Sequence, residues 1–175
     1  MDPPPISLDL EIQQILEDIR HTALPELQEL AQELLPTDKV PYDYIDSLDD
    51  RHKAISFQSS LLVYYSSKGR IVPRQYQLEA NNVLADGLDI VVSSGTGSGK
   101  TLCQIIPNLL YPKTTSITIS PLKRLQILQA AEFERWGISA ICINEDTPND
   151  KELWTKICSG HFQHLIVQPE QLKSF

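Results

Sequence analysis

DIVVSSGTGSGKTLCQIIPNLL, residues 89–110, decides how the chain is read. Ile90, Val91 and Val92 form a short apolar run that predicts a buried strand over 89–93. Leu102, Ile105, Ile106, Leu109 and Leu110 then recur at helical spacing and predict a helix over 100–110. Between them SGTGSGKT, residues 94–101, follows the pattern GxxxxGK[ST] with Ser94 in the place of the first glycine. Gly95, Gly97 and Gly99 permit backbone angles that a Cβ penalises, so successive N–H groups, those of Thr96 and Ser98 included, can converge on an anion at the positive end of the next helix. Lys100 is placed to reach the β- and γ-phosphates, and the Thr101 hydroxyl to hold Mg²⁺.

Downstream, strands and helices alternate. Residues 117–120 (ITIS) read as a strand, 121–134 as a helix, 140–143 (AICI) as a strand, 150–158 as a helix and 165–167 (LIV) as a strand. Apolar strands separated by helices call for a parallel sheet covered on both faces. The fold class is therefore α/β, a P-loop NTPase sheet incomplete at its carboxyl end and preceded by an acidic helical segment. Upstream, 74–84 reads as a helix and 55–65 as apolar and helical. Ile12, Ile15, Leu16 and Ile19 mark one amphipathic helix, and Leu24, Leu27, Leu30, Ala31 and Leu34 a second, with Pro25 in its first turn. That hairpin needs a surface for its apolar face, on the downstream domain or on a protein partner. LPTDKVPYDYIDSLDD, 35–50, reads as a linker and residues 2–5 as a disordered start. The domain reading is thus 1–50, hairpin plus linker, and 51–175, a partial nucleotide-binding domain.

A net charge of −8 argues, taken whole, against a nucleic-acid partner, but the charge is unevenly spread. Residues 1–50 hold 13 acids and two bases, net −11, and residues 51–175 hold ten acids and 13 bases, net +3. The later part is free to carry a nucleic-acid track. Cys103, Cys142 and Cys158 have no metal-ligand spacing and are expected to be reduced core thiols. No apolar run reaches the length of a bilayer span and the start, MDPPPISLDLE, is not a signal peptide, so an intracellular protein is expected.

VPRQYQLEA, 72–80, places Arg74, Gln77 and Ala80 on one helical face upstream of the loop. A glutamine amide pairs with adenine N6 and N7 together, and this predicts ATP selectivity. RxxQ, SGTGSGKT, SPLKRLQILQ and VQPEQL, in that order, resemble the opening motifs of superfamily-2 helicases, and most of all the RecQ family of ATP-dependent DNA helicases. The resemblance covers about residues 55–175. It implies a RecA-like domain in which Gln77 reads adenine with Arg74 supporting it and residues 95–101 bind phosphates and Mg²⁺. It also implies that Ser120, Pro121, Leu122 and Lys123, with Gln168, Pro169 and Glu170, touch single-stranded or partly duplex DNA. In a eukaryote such a protein is expected in the nucleus. Both of the last two blocks follow a strand directly and so sit at the carboxyl edge of the sheet, where Lys123 and Arg124 can each neutralise a phosphate. Pro73 stands where the family has an aromatic, and Gln168 where it has Thr. The family's DExH block would follow Phe175, so the 175 residues alone are expected not to hydrolyse ATP. A non-catalytic nucleotide-binding or interaction module, and an RNA helicase of the same superfamily, are the competing readings.

Overall fold

A computed structural model describes residues 10–174. The proline-rich start at 2–5 lies outside the described residues. Two compact units divide the chain between residues 110 and 111.

The first unit holds helices α1 (Leu10–His21), α2 (Leu24–Leu34), α3 (Tyr42–Asp46), α4 (Asp50–Ser66), α5 (Gln75–Ala85) and α6 (Leu102–Leu110). α4 is its axis, packed against α1, α2, α5 and α6. After a charged first turn, Asp50 to Lys53, its sequence from Ser59 to Val63 is apolar or small at every position, which suits a helix surrounded by others: Phe57, Leu61, Leu62 and Val63 are buried, and so are Ser56, Ser59 and Ser60. The last two serines return their hydroxyls to the carbonyls of Ser56 (2.8 Å, from Ser60) and Ile55 (2.6 Å, from Ser59). Those of Ser59 and Ser56 in turn accept from Asn81 and Asn82 of α5, which joins the two helices through side chains, while the Oδ1 of Asn82 is buried without a partner among the described residues.

Leu16 and Ile19 of α1 and Leu27 and Ala31 of α2 are buried against this axis, so the hairpin covers its apolar face on the chain itself. The stretch expected as a linker is not one: it forms α3 and buries Leu35, Val40 and Ile45. The acidic segment and the glycine loop therefore belong to one compact unit. Arg20 of α1 donates from Nε to the carbonyl of Leu109 at 2.7 Å, setting a cation at the carboxyl end of α6, where the helix dipole favours it.

The expected strand over 89–93 does not form. No strand is found among the described residues of this unit, and Leu88, Ile90 and Val91 are exposed, Val91 at 93%. A strand's hydrogen bonds lie between segments, and this run has no paired neighbour.

The second unit holds β1 (Ser116–Ile119), α7 (Lys123–Arg135), β2 (Ala140–Ile143), α8 (Lys151–Cys158), β3 (His164–Val167) and a 3₁₀ turn, Pro169–Ser174. The three strands are parallel in the order β1-β3-β2, Ile117 beside Leu165 and Ile141 beside Leu165 in turn. Leu165 and Val167 pack with Ile143 and with Ile157 of α8 on one face. His164 stacks on Phe133 of α7 on the other, with ring centroids 3.7 Å apart. The α/β fold with helices on both faces is thus present. β1 is covered less well: Ile117 and Ile119 point to the α8 side yet are 60% and 57% exposed, because α8 reaches only β2 and β3. Among the described residues the outer edge of β1 is unpaired.

All three cysteines are free, but only Cys103 is buried and Cys158 is exposed, so the expectation of three core thiols holds for one of them. Burial pushes the thiols of Cys103 and Cys142 up. No helix among the described residues is long and apolar enough to cross a membrane.

Candidate functional site

The loop expected to bind phosphate turns through left-handed backbone at Gly97 (φ +78°) and Gly99 (φ +90°), whereas Gly95 does not need it. The turn closes on itself through Ser94 and Ser98, whose hydroxyls lie 2.6 Å apart. A serine at the motif's first position thus supplies a bond that glycine cannot. The Lys100 ammonium donates to the carbonyls of Ser94 and Gly95, both at 2.7 Å, and lies over the loop. Leu102 donates its N–H back to Gly99, and Gln104 and Ile105 theirs to Thr101, which starts α6 at the end of the motif. Among the described residues, the N–H groups of Thr96, Gly97, Gly99, Lys100 and Thr101 have no intramolecular acceptor. A cluster of free amides at a helix start beside a lysine has the chemistry to receive an anion.

The loop is held from α5. Tyr76 donates from its hydroxyl to the Ser98 carbonyl at 2.8 Å, and Gln77 from Nε2 to the Gly99 carbonyl at 2.8 Å. Both carbonyls are thereby taken to the α5 side. Gln77 Nε2 also donates to the Tyr76 hydroxyl at 3.2 Å, and Oε1 accepts from the N–H of Arg74 at 2.8 Å, so the side chain caps its own helix. Gln77 is 3% exposed. The structure thus brings Gln77 to the loop, as its spacing implied, but turns its amide inward as a brace. Arg74 contributes its backbone as the cap of α5 while its residue stays exposed.

In the other unit, Ser120 and Gln168 end β1 and β3 on the same carboxyl edge. Ser120 donates its N–H to Val167 (3.0 Å), and Gln168 its own to Ile143 (2.9 Å). Pro169 opens the 3₁₀ turn and Glu170 is exposed within it; Pro121, Leu122 and Arg124 are exposed at the start of α7. Lys123 is paired within the chain: its ammonium is bound by Glu145 and by Asp146, the latter at 2.7 Å. These carboxylates push its pKa up. The turn that carries them is shaped by Asn144, whose Oδ1 accepts from the N–H of Asp146 at 3.0 Å. Gln126, fully buried, ties this turn to the SPLK block by accepting from Asn144 (2.9 Å) and donating to the Ser120 carbonyl (2.7 Å). The hydroxyl of Ser120 and the Oε1 of Gln168 are buried without a partner among the described residues. Gln126, Asn144 and the two acids were not singled out by motif reading. The signal for Gln126 lay inside SPLKRLQ, whereas the acidic turn belongs to no motif.

The chain is 33% identical over 122 residues to the ATP-dependent DNA helicase RecQ of Haemophilus influenzae, covering 69% of this chain and 20% of the relative. It is 36% identical over 97 residues to the ATP-dependent DNA helicase Q-like SIM of Arabidopsis thaliana, covering 55% and 11%. It is also 34% identical over 100 residues to an Acanthamoeba polyphaga mimivirus protein named for ATP-dependent RNA helicase activity, covering 57% and 18%. The chain spans about a fifth or less of the length of these relatives. The DEAD/DEAH box helicase profile matches residues 74–175, from the cap of α5 through the glycine loop to the end of the chain, and the chain belongs to that family.

Proposed function

We propose that this chain is the ATP-binding part of a RecQ-like DNA helicase, which couples ATP hydrolysis to movement along DNA and its unwinding. The loop at 95–101 carries the reading: five amides without an intramolecular acceptor and one ammonium lie next to the start of α6, and α5 draws the adjoining carbonyls to its own side. Its chemistry fits a triphosphate, with the Thr101 hydroxyl placed in sequence to share in holding Mg²⁺. A bound Mg²⁺ neutralises charge on the phosphates during transfer. The loop residues bind and orient the phosphates, and Lys100 would exchange the two carbonyls it now holds for phosphate oxygens.

DNA rather than RNA is favoured by the RecQ relatives and by the SPLKRL block at 120–125. In a eukaryotic cell that substrate places the protein in the nucleus. Hydrolysis also needs a carboxylate that positions the attacking water and cations that stabilise the transferring group. The four blocks at 74–170 supply the phosphate loop but neither of those roles, so the 175 residues alone bind nucleotide without turning it over. Calorimetric titration of the magnesium complex of a non-hydrolysable ATP analogue tests the core of the proposal. Lys100→Ala should weaken binding at least tenfold, and equal affinity in the two proteins removes it. Competition between single-stranded DNA and RNA of the same length, read by fluorescence anisotropy, separates the DNA reading from the RNA one.

A further inference from the structure

We propose that Tyr76 is a positioning residue of the phosphate site, a role that rests on the nucleotide reading above. Its hydroxyl fixes the Ser98–Gly99 peptide so that the Gly99 N–H faces the anion and the Ser98 carbonyl does not.

A phosphate loop works only while its peptide groups show the anion their N–H ends. The two ends of a trans peptide point in opposite directions, and none of the described peptide bonds is cis. Whatever holds the carbonyl of one residue therefore also aims the N–H of the next. Ser98 offers its carbonyl to the Tyr76 hydroxyl at 2.8 Å, so the Gly99 N–H is turned away from α5. Gly99 offers its own carbonyl to Gln77 Nε2 at 2.8 Å, and the Lys100 N–H is turned away in the same manner. These are two of the five loop amides that have no intramolecular acceptor among the described residues.

The two peptide planes differ in what keeps them from turning over. A flip of one plane changes ψ of the residue before it and φ of the residue after it. For Ser98–Gly99 the φ belongs to a glycine, now at +90°, which takes negative values as readily. For Gly99–Lys100 it belongs to a lysine whose φ is not positive, and a flip would drive that side chain into backbone space it avoids. Sterics thus guard the second plane, whereas the first depends on its hydrogen bond. That bond is directed: Gln77 Nε2 donates to the Tyr76 hydroxyl at 3.2 Å, and the single hydrogen of the phenol goes to Ser98. Tyr76 is half-buried beside the loop. A phenylalanine there fills the same space but lets the Ser98 carbonyl swing toward the site, where its dipole opposes a phosphate.

The test is calorimetry on the 175-residue chain, wild type and Tyr76→Phe, with inorganic tripolyphosphate and with a non-hydrolysable ATP analogue, each with Mg²⁺. Tyr76→Phe should weaken both by a similar factor, about five- to tenfold, at unchanged helix content by circular dichroism. Amide resonances of the ¹⁵N-labelled proteins separate positioning from general loosening. In the wild type, saturating tripolyphosphate should move the Gly99 and Lys100 N–H signals. In Tyr76→Phe the Gly99 response should shrink, while those of Thr96 and Gly97, in planes that Tyr76 does not hold, stay as in the wild type. Equal tripolyphosphate affinity in the two proteins overturns the proposal, and so does a loss of affinity spread evenly over all the loop amides. A wild type that binds tripolyphosphate without moving Gly99 overturns it with no variant needed. If the wild type takes neither ligand, the phosphate-loop reading itself fails and the role of Tyr76 falls with it.

Discussion

Alanine substitution of the three loop glycines should separate them, although the motif treats them alike. At Gly99 a Cβ meets two obstacles. The backbone is left-handed, φ +90°, which costs an L-residue about 1–2 kcal/mol. The new carbon would also lie 3.0 Å from Gln77 Nε2, against a side chain that has no slack. Moving that amide loses its bond to Gly99 and the cap bond from Arg74, each worth roughly 1 kcal/mol. Gly99→Ala should therefore cost about 2–4 kcal/mol. Gly97→Ala meets the backbone term only, since nothing lies within 4 Å of its Cβ position, and should cost about 1–2 kcal/mol. At Gly95 the space is open and φ is not positive, so Gly95→Ala should lie within about 1 kcal/mol of wild type. Urea unfolding followed by far-ultraviolet circular dichroism gives the order, and a double-mutant cycle isolates the cause. In a Gln77→Ala background the excess of Gly99→Ala over Gly97→Ala should vanish, a coupling of about 1–2 kcal/mol. A coupling near zero, or equal costs at 95 and 99, refutes the reasoning.

Arg20→Ala removes a charged hydrogen bond to the last turn of α6 and should lower stability by about 1–2 kcal/mol, with Arg20→Lys recovering part; the same unfolding assay measures both. Burial pushes the His164 imidazole down to about 4. Between its unfolded value near 6.5 and that value the unfolded chain binds the extra proton, so the neutral ring stabilises fully above the window and progressively less as pH falls through it. The loss should be of the order of 3 kcal/mol by pH 4, read by the fluorescence of Trp136 and Trp154, and His164→Phe should flatten it. His52 is shifted the other way, its imidazole raised first by Asp49 and also by Asp86; its contribution is full below its ordinary pKa and fades as pH rises through the raised one, so His52→Ala should lose most at acid pH. Glu145→Gln with Asp146→Asn frees Lys123 and should raise single-stranded DNA affinity several-fold at low salt. The slope of log affinity against log salt should steepen by about 0.7, and an unchanged slope means that Lys123 never meets a phosphate.

What could be read from the sequence, and what could not, divides by the range of the interaction. Helices close their bonds within four residues, and 74–84, 100–110, 121–134 and 150–158 all appear within a few residues of their expected bounds. The strand at 165–167 was legible because a central parallel strand buried on both faces is apolar at every position, and the half-buried edge strand at 140–143 is a similar short apolar run. The run at 89–93 carries the same signal and forms no strand, since an apolar run states that a partner is needed without naming it. α3 was hidden for a related reason: Leu35, Val40 and Ile45 fall at five-residue intervals, which matches neither the helical nor the strand period, amid Pro, Asp and Tyr that read as linker.

The same division runs through the site. That Gln77 and the glycine loop meet followed from spacing, but the direction of the amide depends on the carbonyl that Gly99 offers it. Lys123 was correctly placed at the carboxyl edge, yet its charge is set by Glu145 and Asp146 across the turn after β2. Residue type and chain position therefore locate a functional group, whereas its availability is fixed by neighbours distant in sequence. For this reason the brace at Gln77 and the clamp on Lys123 are the two places where measurement will separate this chain from what its motifs alone imply.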